Sequence, residues 1–119
     1  MELHSIFSEV TDPRRNTLLK RHLLSDILLL SLFATLSGCD TDEEIEEYGK
    51  NKEAFLHQFL CLPHGIPSHD TITRVLNAID AKQFASCLYR HSCYLCDFLE
   101  AHHISIDGKV LRATAQAGK

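Results

Sequence analysis

The sequence predicts a mainly α chain, a bundle of five to six helices followed by a first β-hairpin. Three observations predict it. Apolar residues recur at spacings of three and four through most of residues 1–101, the period of an amphipathic helix. Thr41, Ser68 and Asp80 stand just ahead of such runs, where a side-chain oxygen can accept from the free N–H groups of a first turn. After residue 102 the period changes to two. Ile104 and Ile106 alternate with Ser105 and Asp107, and Asp107-Gly108 is a tight-hairpin pair. A helical domain is therefore expected over 1–101 and the start of a second domain over 102–119.

The elements follow in order. Leu3, Ile6, Phe7 and Val10 make a short amphipathic helix, ended by Thr11-Asp12-Pro13 because proline disfavours helix in the residue before it. Leu23 to Ser37 is apolar on nearly every face and is the expected central core helix, with Leu28, Leu32, Phe33 and Leu36 in the core and Gly38 as its stop. Thr41-Asp42-Glu43-Glu44 has capping-box spacing and places acids at the positive end of the next helix. Gly49 is expected to break that helix, with Ala54 to Leu60 as a second piece. Cys61 to Pro67 (CLPHGIP) is a loop with two prolines and a glycine. Ser68 caps a helix to about Ile79, whose apolar face is Ile72, Val75, Leu76 and Ile79. Asp80 then caps one longer helix from Ala81 to about Ala101.

Composition narrows the function classes. With 119 residues, 45% hydrophobic and 24% charged, the chain can bury a core without disulfides or metals. Its longest apolar run, Leu23 to Leu36, is interrupted by Ser25, Asp26 and Ser31 and falls short of the roughly 20 residues a bilayer demands. No membrane partner is expected. Acidic Glu2 and polar His4 and Ser5 stand where a signal peptide would be basic and then apolar, and five cysteines is an odd number; both point to reduced thiols and a cytoplasmic protein.

The net charge of −4 is uneven. Residues 40–53 hold seven acids and two bases, which reads as a solvated acidic face. The rest of the chain has ten bases against nine acids. Arg14, Arg15, Lys20 and Arg21 cluster beside His22, and either plain solvation or contact with phosphates fits them.

Three further features carry candidate chemistry. Asp107 is either a turn residue or a metal-ligating carboxylate at the end of a first strand; two-metal chemistry would need further carboxylates from elsewhere. In GIPSHDTITRV (65–75), Ser68 and Asp70 cap a helix, while His69 and Arg74 stand as donors near an end that could receive a backbone phosphate. Cys93-x-x-Cys96, with His91, His102 and His103 nearby, has the residue types of a zinc site. The pair falls inside a predicted helix among Tyr94, Leu95 and Phe98, where buried thiols act as small hydrophobes.

Taken together, DPR at 12–14, HLLSDILLLSL at 22–32, EEIEEYGK at 43–50, GIPSHDTITRV at 65–75 and ISIDGKVLR at 104–112 resemble the N-terminal part of the H repeat-associated proteins, insertion-sequence transposases of the DDE type. The Cys93–Cys96 pair is not part of that pattern. The resemblance implies that Asp107 is the first acid of the catalytic triad and a Mg²⁺ ligand in the full-length enzyme, on the first strand of a ribonuclease H-like domain of which residues 102–119 are a truncated start. It implies DNA at the element's ends as partner, with Arg14, Arg15, Lys20, Arg21, His69 and Arg74 as the candidate DNA-binding residues. The helical domain would assist either DNA-end binding or assembly, homodimer formation included. The piece present is expected to be inactive alone and to need no cofactor or small-molecule substrate. A decayed element and an excised piece both fit its length. The rival reading is a protein–protein interaction module without DNA binding, its acidic helix set against a basic surface.

Overall fold

A computed structural model describes residues 3–14 and 22–104. Within them the chain forms a 3₁₀ helix, Leu3–Phe7, and six α-helices: α1 Leu24–Leu36, α2 Asp42–Asn51, α3 Glu53–Leu56, α4 His69–Ala78, α5 Ala81–Arg90 and α6 Ser92–Ala101. The expected hairpin falls on residues 105–119 and lies outside the described residues, apart from Ile104, whose N–H donates to the Leu99 carbonyl at 3.0 Å.

Helix α1 is the axis of the bundle, as an all-round apolar helix must be. Ile27 to Leu30, Phe33 and Ala34 are fully buried, and α2, α4 and the 3₁₀ helix pack on it. Leu28 and Phe33 take their expected core places, whereas Leu32 and Leu36 are only partly buried. The helix ends in a Schellman turn: Gly38, at φ 105°, donates to Thr35, and Cys39 donates to Ala34, both at 3.0 Å. Glycine takes that left-handed φ without the Cβ clash other residues suffer.

Thr41 caps α2 with both halves of the capping box formed, its hydroxyl accepting from Glu44 N–H and the Glu44 carboxylate accepting from Thr41 N–H. The expected break at Gly49 does not occur. Gly49 is buried inside α2, and a Cβ placed there would lie 2.7 Å from Ile66 Cγ2 and 3.3 Å from Leu30 Cδ1. Its role is close approach. It lets the 61–67 loop and α1 lie against α2.

That loop is held from inside the bundle. Asp26, 1% exposed, accepts from Cys61 N–H at 3.1 Å and Leu62 N–H at 2.8 Å. Leu62 is buried at φ 42°, a left-handed backbone costing a leucine about 1–3 kcal/mol, so the surroundings must impose it.

The single helix expected from Ala81 to Ala101 is two. His91, at φ −106° and ψ 18°, interrupts it. Packing supplies the reason. An unbroken helix of that length would run about 30 Å, but its two halves meet different partners. In α5, Phe84 stacks on Phe7 with ring centroids 5.0 Å apart. In α6, Phe98 lies over Phe33 at 6.1 Å, and Leu95 and Leu99 are buried. The N-terminal segment is tied to α5 by Thr11 N–H donating to Gln83 Oε1 at 2.9 Å and by an Arg90–Glu9 ion pair. No helix among the described residues is long and apolar enough to cross a membrane.

Candidate nucleic-acid interface

The candidate DNA-binding residues do not converge on one described surface. Arg15, Lys20, Arg21 and Asp107 lie outside the described residues. Arg14 sits at the close of the 11–14 stretch, and its guanidinium forks onto Asp12, Nε to Oδ1 and Nη2 to Oδ2, both at 2.9 Å. Its Nη1 donates to the carbonyl of His22 at 2.5 Å. A planar fork suits a carboxylate bidentately, and here it joins residue 12 to residue 22, bracketing the segment that carries Arg15, Lys20 and Arg21. Three of Arg14's five N–H donors are thereby committed inside the chain.

His69 and Arg74 share α4 and have different surroundings. Ser68 caps the helix, its hydroxyl accepting from Thr71 N–H at 3.3 Å. The first turn also receives a carboxylate from α2. Glu46 Oε1 accepts from His69 N–H at 2.7 Å and lies 2.8 Å from His69 Nδ1. A carboxylate only accepts, so Nδ1 carries the proton. Lys50 Nζ lies 2.6 Å from the other oxygen, Oε2. The hydrogen bonds from Lys50 first, then from the His69 ring and backbone, hold the Glu46 carboxyl down at about 2. The same bond to Glu46 pushes His69 up from its ordinary value, with the Asp70 and Glu43 charges adding and partial desolvation opposing. One turn on, the Thr73 hydroxyl lies between the His69 carbonyl and Asp42.

The acidic run is therefore not simply a solvated face. Glu46 and Asp42 turn toward α4, Glu44 closes the cap of α2, and Glu43 and Glu47 remain exposed. An incoming phosphate at the α4 terminus meets a carboxylate already in place. Arg74, by contrast, is exposed, with one contact to Thr71 Oγ1 at 3.5 Å.

On α6, Cys93 and Cys96 are both exposed, against the expectation of burial; Cys87 on α5 is the buried thiol. The apolar period decides the face: Leu95 and Leu99 turn inward, and Cys93 and Cys96 fall on the opposite side of α6. His102 and His103 follow the far end of α6, roughly 14 Å along the axis from Cys93. Among the described residues no three His, Cys, Asp or Glu side chains are grouped to hold a metal. The Mg²⁺ of the resemblance needs several converging carboxylates. The described carboxylates do not fit that need: Asp26 holds a loop, Glu46 caps a helix, and Asp12 holds Arg14.

Two residues that organise the structure were not singled out from the sequence. Asp26 left a signal, a lone carboxylate in an apolar run that has to find partners when buried. Glu46 left none, being one acid among seven.

Among the described residues the domain is helical, and its charged side chains hold segments together without forming a metal-binding cluster. The comparisons with known proteins say which family it belongs to. Residues 4–92 match the DDE_Tnp_1-associated family model, and the chain belongs to that family. It is 44% identical over 109 residues to a protein of Xanthobacter autotrophicus named for its place in the dhlA 3′ region, covering 89% of this chain and 36% of that protein. It is 38% identical over 116 residues to the H repeat-associated protein YhhI of Escherichia coli strain K12, named as a transposase, covering 94% of this chain and 30% of that protein. A third relative from the same strain, the inactive transposase YbfQ, is 40% identical over 79 residues, 65% of this chain and 94% of its own length. The chain thus spans about a third of the length of the first two relatives. No solved structure matches it.

Proposed function

We propose that the chain is the N-terminal part of a DDE transposase acting in DNA transposition, in which the helical domain assists DNA-end binding and the chain alone is not catalytic. The observation that carries this reading is the family match over residues 4–92 together with a transposase-named relative aligned over 94% of the chain. In this reading Asp107 is the first acid of the triad and would contribute one Mg²⁺ ligand in the full-length protein. The remaining acids come from sequence beyond this chain, and one carboxylate cannot organise a two-metal site.

The DNA-facing cations are Arg15, Lys20, Arg21 and Arg74. Arg14 and His69 position the segments that bear them, Arg14 by joining residues 12 and 22 and His69 by seating α4 on Glu46. Fluorescence anisotropy of a labelled duplex across a salt series tests this. Each phosphate neutralised contributes about 0.9 to the log–log salt slope, so changing Arg15, Lys20 and Arg21 together to Ala lowers the slope by roughly 2–3 and weakens binding to all sequences alike. No salt-dependent binding, with salt-insensitive self-association in its place, establishes the interaction-module reading instead.

A further inference from the structure

Cys93 and Cys96 have no part in the role proposed above, yet they are two free, exposed thiols one turn apart on α6. Residues three apart on a helix share a face, with Cβ atoms about 5–6 Å apart. A disulfide needs Cβ atoms about 3.5–4.5 Å apart, so direct S–S closure would have to tighten the first turn of α6 by about an ångström or more. A bridging ion would not, since two metal–thiolate bonds of about 2.3 Å each span the wider gap with the helix intact. The surroundings favour a cation as well. Cys93, Cys96, Asp97 and Glu100 form one exposed stripe at i, i+3, i+4 and i+7, opposite the buried Leu95 and Leu99.

We infer that Cys93 and Cys96 form a bidentate dithiolate site for one soft, thiophilic cation such as Cd²⁺ or Cu⁺. Thiolates select such ions over hard ones. Because no third protein donor is grouped with the pair among the described residues, the remaining coordination positions go to water or a small thiol. Binding is an exchange without redox change: two S–H protons leave to solvent and two metal–sulfur bonds form. The other cysteines do not compete. Cys87 is buried, Cys61 is exposed in the 61–67 loop but offers one sulfur and no chelate, and burial, followed by the charges of Glu44, Asp40 and Glu47, pushes the Cys39 thiol up.

Titration of the reduced chain with Cd²⁺, read by the ultraviolet thiolate-to-metal charge-transfer band and by calorimetry, tests the site. One ion per chain is expected, with release of protons on binding. Cys93→Ser and Cys96→Ser each weaken binding roughly a hundredfold, the loss expected when one of two linked donors is removed. Cys61→Ser leaves binding unchanged, and circular dichroism shows the helices of all three variants intact. A single-serine variant at 93 or 96 that binds as tightly as the parent, an ion shared by two chains, or dependence on Cys61 overturns the assignment.

Discussion

Removing the carboxylate of Asp26 should be among the most damaging single changes in the domain, although it deletes a polar group from the middle of the core helix. Asp26 is 1% exposed and accepts two backbone N–H groups of the 61–67 loop, at 3.1 and 2.8 Å. Hydrogen bonds to a charged acceptor contribute about 1.5–3 kcal/mol each, so the pair supplies roughly 3–6 kcal/mol. Two effects offset part of this loss in a mutant. The buried charge no longer has to be desolvated, and Leu62 can relax from φ 42°, regaining about 1 kcal/mol. Asp26→Leu should therefore destabilise by about 2–4 kcal/mol. Replacing both members of a buried ion pair by hydrophobes is often neutral. Here the partners are main-chain N–H groups, which cannot be replaced, so the leucine leaves them unmet. Urea unfolding followed by helical circular dichroism measures the effect. With a slope near 1.5 kcal/mol per M for a chain of this size, the midpoint falls by roughly 1.3–2.7 M. Asp26→Asn, which keeps one acceptor, should fall between leucine and the parent. If Asp26→Leu unfolds within 1 kcal/mol of the parent, the clamp is not what holds the loop.

Two other predictions concern the α2–α4 side. Gly49→Ala should lower the urea midpoint even though alanine is the better helix former by about 1 kcal/mol, because its Cβ meets the Ile66 branch methyl at 2.7 Å and that side chain is stiff at χ1; a stabilised alanine variant refutes the close-packing role. The Glu46–His69 pair gives stability a definite pH window. His69 is raised above 6.5, so its contribution is complete below 6.5 and is lost as pH rises through the folded value; Glu46 is lowered from 4.5 to about 2, so its contribution is complete above 4.5 and is lost as pH falls toward 2. The parent should lose stability relative to His69→Gln above pH 6.5, and Glu46→Gln should flatten both limbs. Parallel curves for parent and His69→Gln across pH 6–9 would show that the pair does not couple to folding.

What was legible in the sequence was what one segment decides for itself. The caps at Thr41, Ser68 and Asp80 and the glycine stop at Gly38 depend on residues within one turn of each other, and all four formed. What was not legible depends on a partner distant in the chain. The His91 break carries no glycine or proline; it exists because Phe84 and Phe98 have different aromatic partners, Phe7 and Phe33. Gly49 read as a breaker because a neighbour some seventeen residues on, Ile66, cannot be seen from α2. Cys93 and Cys96 lie opposite Leu95 and Leu99 on α6, so their exposure follows from the period of three and four within that one helix.

The charge of the candidate site shows the same limit in its clearest form. From the sequence, a net −5 segment and a His-Arg helix end look like separate surfaces, one to repel DNA and one to receive it. In the fold they are one junction. Glu46 occupies the positive end of α4 and takes its His69 N–H, while Ser68 takes the Thr71 N–H, so that end is engaged by α2 and its own cap rather than by an outside anion. The consequence for the proposed DNA contact is directional. His69 contributes by holding α4 in place, and its loss should act through stability, whereas Arg74 is exposed and its loss should act through the salt slope alone. Arg74→Ala is thus expected to lower that slope by about 0.9 with an unchanged urea midpoint, and His69→Gln to move the midpoint with an unchanged slope. Both readouts shifting together in Arg74→Ala would mean that the cation is structural, and the DNA-facing set would then reduce to Arg15, Lys20 and Arg21.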